Sequence, residues 1–243
     1  MRTPLMTLIA AAVVALGVAV AGLFIGRGFV AARTGDRFVT VKGVAEREVK
    51  ADLALWPMRF VATSNQLAEA QQKIGSDTDT VRTFLAANGV PASVVEVRSL
   101  QVNDLLAQPY RSAPVESRFI VAQTLVVRTA EVDKIAAATQ KIGDLVAAGV
   151  VLGGEGQPSP GPVYLFTGLN DIKPAMIAEA TKNARAGAEQ FAEDSGSRIT
   201  GIRRASQGLF QILPRDDAPG MSADNQIAKT VRVVSTIDYG LAD

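Results

Sequence analysis

Val41-Lys42-Gly43-Val44-Ala45-Glu46-Arg47-Glu48-Val49-Lys50-Ala51-Asp52-Leu53-Ala54 is the stretch that decides the fold. Just ahead of it, Val39 and Val41 alternate with Thr40 and Lys42. Just after it, Trp56, Met58, Phe60 and Ala62 recur at every second position. A period of two marks extended chain with one face turned inward, so Phe38 to Thr63 reads as strand. Gly43 inside such a run signals a bulge or a close backbone approach. Asp52 suits a turn or a local backbone hydrogen bond. Pro57 cannot donate to a ladder and predicts an edge or a bulge near Trp56.

Beyond this region helical and extended patterns alternate. Gln66 to Asn88 reads as a helix with Leu67, Ala70, Ile74, Val81 and Leu85 on one stripe, stopped by Asn88-Gly89. Val94 to Leu105 and Arg118 to Arg128 read as strands. The second is apolar on both faces, with Val121, Leu125 and Val127 against Ile120, Ala122 and Val126, which predicts burial on both sides. Val132 to Ala148 reads as a second helix. Asp171 to Ser195 reads as a long third one, with Asp171 as its cap and Ile177, Ala180, Ala184, Ala188 and Phe191 facing inward. Pro162 to Thr167, Ile199 to Leu213 and Lys229 to Tyr239 complete the strands, and Pro214 to Asn225 reads as a mobile loop. The glycines at 153, 154 and 156 do not lead from a strand into a helix, so they do not form a phosphate loop. The fold class is therefore α+β, with mixed or antiparallel strands and packed helices.

Leu5 to Ile25 carries no charge. As a helix it reaches about 31 Å, the thickness of a bilayer's hydrocarbon core. The run exceeds the apolar core of a cleaved signal, although Val30-Ala31-Ala32 before Arg33 offers a cleavage site. We read residues 5–26 as one transmembrane helix that contacts the lipid bilayer. Residues 1–4 form a short lead and residues 27–37 a tether. Positive charges near the span favour a cytoplasmic domain, yet long domains cross largely regardless of that count. Gly22 and Gly26 form a G-x-x-x-G that would let two anchor helices pack closely, a pattern that Gly-rich spans also contain by chance.

Composition removes several function classes. The chain of 243 residues has no His and no Cys. Disulfides, thiol catalysis, a Ser-His-Asp site and the usual transition-metal ligands are thereby excluded within one chain. The 25 basic residues balance 24 acidic ones. No field draws in nucleic acid, and no nucleic-acid partner is expected. No cofactor and no catalytic residue is expected.

The stretch Val41 to Ala54 resembles the opening signature of the SIMPL-domain (DUF541) family: V-x-G-x-A, then Val49, then Ala51-Asp52 and Ala54. The order downstream is similar too. A helix ends in Gly89-Val90, a strong strand runs Phe119 to Val127, and a later helix carries Asn183, Ala184, Ala188 and Ala192 before Ile199-Thr200-Gly201-Ile202. Arg118-Phe119-Ile120 departs from the family's common Gly-Tyr entry to that strand. The resemblance spans residues 38–239, leaving 240–243 as a tail. It implies an α+β domain of bacterial envelopes, exported or anchored in the inner membrane with the domain in the periplasm. It also implies self-assembly into a homo-oligomer and a loose link to stress tolerance. It implies no catalytic residues, and Gly43 and Asp52 remain structural positions.

Three functions compete. A membrane-anchored homo-oligomeric scaffold fits the anchor, the apolar strands and the lack of catalytic groups. An envelope binding module could use Trp56 and the Tyr110-Arg111 loop. A hydrolase could use Ser with Lys, or the paired carboxylates Glu46 and Glu48, which share a strand face.

Overall fold

The computed structural model of the protein describes residues 3–34, 37–107, 116–154 and 159–242. Its elements are α1 (Thr3–Thr34), β1 (Phe38–Lys50), β2 (Leu53–Ser64), α2 (Leu67–Ala87), β3 (Val95–Asp104), β4 (Phe119–Thr129), α3 (Val132–Gln140), α4 (Gly143–Ala147), β5 (Val151–Leu152), β6 (Val163–Leu165), α5 (Leu169–Asp194), β7 (Arg198–Gln207), β8 (Gln211–Pro214) and β9 (Ala228–Ala242). One sheet has the order β1-β9-β7, with β8 also on β9. The other has the order β3-β4-β2-β5, with β6 also on β2. The class is α+β with two antiparallel sheets, and an apolar N-terminal helix long enough to span a membrane.

Two compact units divide the chain. One holds residues 1–45, 177–209 and 233–243, and the other holds 46–176 and 210–232. In the second unit β2 is the spine. It pairs with β4 so that Trp56 faces Val127, Met58 faces Leu125 and Ala62 faces Val121. All of these are buried. Helices α2, α3 and α4 bring Ile74, Val81, Leu85, Ile135 and Leu145 onto the same core. A residue at every second strand position meets one at every third or fourth helix position, as the two periods require. The first unit has a smaller core. Val41, Ile237 and Tyr239 from the sheet meet Ala184 and Ala188 of α5.

Several expectations need correction. Pro57 does not lie on an edge strand, because β2 has β4 on one side and β5 and β6 on the other. However, β6 pairs only Leu53 to Leu55, and β5 only Phe60 and Val61. Arg59 turns its N–H to the Ser159 hydroxyl on that side, at 3.2 Å, and by the period of two Pro57 points the same way. Proline therefore occupies a gap in the ladder where no donor is needed. The strand β4 is fully buried along Val121, Leu125 and Val127, while on its other face Ala122 is buried and Ile120 and Val126 are half-buried. The expected helix 132–148 is two helices, broken at Lys141-Ile142 ahead of Gly143, whose helix propensity is low. In α5 the buried row in the first unit is Ala180, Ala184, Ala188 and Ala192, while Phe191 is exposed. A strict four-residue spacing carries that row past Phe191. Helix α1 runs through Thr34, so it takes up most of the expected tether 27–37. Strand β9 likewise takes up the expected tail through Ala242.

The expected mobile loop 214–225 is held from below by a buried cation. The Lys229 ammonium donates to the carbonyls of Ala223 and, at 3.0 Å, Gln226. Ser222 and Asn225 close a capping box over the same turn. Burial pulls the Lys229 pKa down, and Asp224 partly restores it. Replacing Lys229 by Met strands both carbonyls and should cost about 1–3 kcal/mol. Limited proteolysis checks it: cleavage between residues 215 and 226 should precede other cuts in the variant. An unchanged digestion pattern would show that the lysine does not hold the loop.

Candidate functional site

Asp52 caps the turn from β1 into β2, and its carboxylate reaches far along the chain. It accepts the Thr167 N–H at 2.8 Å, the Thr167 hydroxyl at 3.0 Å and the Gly168 N–H at 2.9 Å. These donors lead directly into α5. Asp52, and not Asp171, thus meets the chain ahead of that helix, and Asp171 falls in its first turn. Burial pushes the Asp52 pKa up, but the Thr167 and Gly168 hydrogen bonds outweigh it and hold the carboxyl below its ordinary value. Because the partners lie 115 and 116 residues away, local turn chemistry alone does not describe this residue.

Gly43 lies where β1 passes α5. A Cβ there would sit 1.8 Å from the Ala180 carbonyl oxygen and 2.5 Å from the Ala184 nitrogen. One residue on, the Asn183 amide donates to the Val44 carbonyl at 2.8 Å. Gly22 and Gly26 stand one turn apart on α1, each with open space where a Cβ would be. The segment Leu8–Phe29 has a mean hydropathy of 2.8 and is 0% buried.

A cleft of about 840 Å³ lies wholly in the second unit. Tyr164, Pro162 and Ile227 supply apolar lining, while Glu48, Arg215 and Asp216 supply charge. Arg215 and Asp216 pair at 2.8 Å, and Lys50 pairs with Asp133. Charge in the cleft is largely matched within it, which suits a neutral or zwitterionic occupant better than an ion. Tyr164 has its pKa raised, by burial first and by Asp133 in addition, while Thr139 pulls it back. The phenol stays protonated and offers a hydrogen bond, not a base. Of these lining residues only Glu48 stood out in the sequence, as a paired carboxylate, because the lining comes from four separate stretches with no shared motif.

The other expected binding and catalytic groups do not converge. Trp56 is 1% exposed and belongs to the core. Tyr110 and Arg111 lie outside the described residues, as does Gly156. Gly153 and Gly154 take positive φ and serve the sheet, the Gly153 N–H donating to the Arg59 carbonyl at 2.8 Å. Glu46 pairs with Arg232 at 3.2 Å, while Glu48 lies at the cleft. Among the described residues no group of three acidic side chains could hold a metal ion.

A feature the sequence left unmarked is the outer strand β3. Val97, Leu100 and Val102 are 54%, 54% and 48% exposed, although their partners Leu125, Gln123 and Val121 on β4 are buried. Helix α2 covers β2 and β4, and no such cover reaches β3 among the described residues. The alternation was legible, but the sequence does not say which strand lies outermost.

An α+β domain with these landmarks and an apolar leading helix is a known class of chain. Residues 39–239 match the SIMPL family, a protein of unknown function (DUF541), and the protein belongs to that family. No curated protein matches it.

Replacing Asp52 by Asn leaves backbone N–H groups facing an amide, and should cost about 1–3 kcal/mol at neutral pH. The sign with pH follows from the lowered pKa. Asp52 contributes its full stability above the ordinary carboxylate pKa, and that contribution fades as pH falls through the lower folded value. Denaturant melts of both proteins should therefore converge in acid. A gap that stays constant through the acid range would contradict the assignment.

Proposed function

We propose that the protein is a membrane-anchored SIMPL-domain scaffold of the bacterial envelope, which assembles as a homo-oligomer with its folded domain outside the cytoplasm. The exposed apolar helix carries this reading. The span Leu8–Phe29 is 0% buried and has a mean hydropathy of 2.8, as a helix that meets lipid would. Anchoring confines the domains to a plane and raises their local concentration, so weak contacts between copies suffice for assembly. The domain boundaries that go with it are a span over residues 5–26 and a folded domain over 38–239. Gly22 and Gly26 offer a second contact between copies inside the bilayer. The cleft beside Tyr164 supports a second reading, a non-catalytic envelope module that binds a small neutral ligand or a peptide.

The full-length protein should fractionate with membranes and resist extraction by carbonate or high salt, because burial of apolar surface does not depend on salt. Chemical cross-linking in membranes should give species heavier than one chain. Soluble protein beginning at Arg33 would show a cleaved signal instead of an anchor. A chain that stays monomeric in membranes would favour the binding module.

A further inference from the structure

We infer that the outer edge of β3 is the surface on which a second copy of this chain pairs, strand against strand, about a two-fold axis through Gln101. This rests on the self-association reading above and names its contact.

Among the described residues no strand pairs the outer edge of β3. Its backbone groups are therefore a template for another strand. Edges exposed in this way are ordinarily blunted by charge or proline. The regular part of this one, Ser99 to Asp104, instead presents Leu100 and Val102 half in the open. A bulge at Arg98, between Val97 and Ser99, sets the start of that regular part.

The direction of the backbone groups follows from one contact. The Leu105 N–H donates to the Arg118 carbonyl at 2.9 Å, so it points toward the β4 side. By alternation Gln101 and Asn103 also point inward, and Leu100, Val102 and Asp104 point to the free edge. In an antiparallel pair, residues directly opposite share a face, so a two-fold axis must pass through a residue. Centred on Gln101, Leu100 faces Val102 of the second copy and Val102 faces its Leu100. These pairs have their N–H and C=O groups turned toward each other, and each exchanges both hydrogen bonds. On the other face Ser99 meets Asn103 of the second copy, polar against polar. Asp104 is already paired with Arg118 at 2.8 Å and Arg98 sits in the bulge, so the ends add no charge pair. Shifting the centre to Leu100 would set Val102 against the bulge, and shifting it to Val102 would set Leu100 against Asp104. Of these three registers, only the one centred on Gln101 gives both Leu100 and Val102 an apolar partner within the regular part.

A single strand edge is smaller than the roughly 800 Å² per partner of a stable soluble interface. Side-chain pairs across it contribute about 0.2–1 kcal/mol each. The contact is therefore weak in free solution and relies on the membrane anchor for concentration. That is why the second copy, carried on the same bilayer, is the occupant the edge fits.

The chain has no cysteine, which gives a clean test. Gln101→Cys in the full-length protein places two thiols opposite each other at a pair whose Cα atoms are about 4.5 Å apart, within the roughly 4.4–6.8 Å range of a disulfide. Mild oxidation in membranes should convert most of the chain to a cross-linked dimer. Ser206→Cys, on the outer strand β7, should stay monomeric under the same treatment. Adding Leu100→Lys and Val102→Lys to Gln101→Cys should cut the yield at least about tenfold, since like charges directly opposite repel. Both changes are on exposed side chains, and circular dichroism checks that the fold persists. If the wild-type chain self-associates and Gln101→Cys does not cross-link, the interface lies elsewhere and this inference fails alone. If the wild-type chain is a monomer in membranes as well, the self-association reading fails with it.

Discussion

The closest constraint in the molecule is the passage of β1 under α5 at Gly43. The space a Cβ would need is already filled by the backbone of Ala180 and Ala184. Around it the core of the first unit is small: two alanines from the helix meet one valine, one isoleucine and one tyrosine from the sheet. Such a core cannot gain its stability from bulky side chains. It gains it from close approach, where many weak dispersion contacts form between helix backbone and strand backbone. The row Ala180, Ala184, Ala188 and Ala192 keeps the helix side of that approach thin. The Asn183 amide then fixes the register by holding the Val44 carbonyl.

The second unit works differently. Its core is built from large side chains, with Trp56, Met58 and Phe60 meeting three helices, and its fine positioning is done by polar groups, some near in sequence and some far. Asp52 gathers the chain entering α5. Lys229 holds the turn at Ala223 to Gln226. Asp77, buried on α2, pairs with Lys73, whose ammonium also reaches the Gly149 carbonyl at 3.1 Å. Asp77 and Lys229 are buried, and a buried charge that lost its partner would cost several kcal/mol, so these two pairings are firm. Both signature positions, Gly43 and Asp52, therefore act on the same helix, one by yielding space to it and the other by holding the chain that leads into it.

Much of this fold was legible in the sequence, and the reasons are physical. Periodicity shows which residues share a face, so β2, β4 and α2 and their inward residues were readable from Trp56, Leu125 and Ile74. Gly43 was readable as a tight spot because glycine inside a strand has few other uses. Periodicity does not show what lies over a face. That is why Phe191 was expected inside and is exposed, and why Val97, Leu100 and Val102 gave no sign of being uncovered. Nor does it show partners more than 100 residues away, which is what Asp52 required. The candidate cleft was illegible for the same reason: Glu48, Tyr164, Arg215 and Ile227 meet only after folding. The long apolar N-terminal helix, by contrast, depends on composition alone and was plain from Leu5 onward.

The close approach at Gly43 is the point on which the core of the first unit depends. The most direct measurement is the stability of the Gly43→Ala protein, followed by denaturant melts and by hydrogen exchange. Close approach at this point predicts a loss of more than about 2 kcal/mol, because the added methyl meets backbone that has no free space to retreat into. It also predicts that exchange rises first in residues 177–194 and 233–242, which build the first unit's core. A variant within about 0.5 kcal/mol of the wild type, the range of an ordinary surface change, would contradict the account.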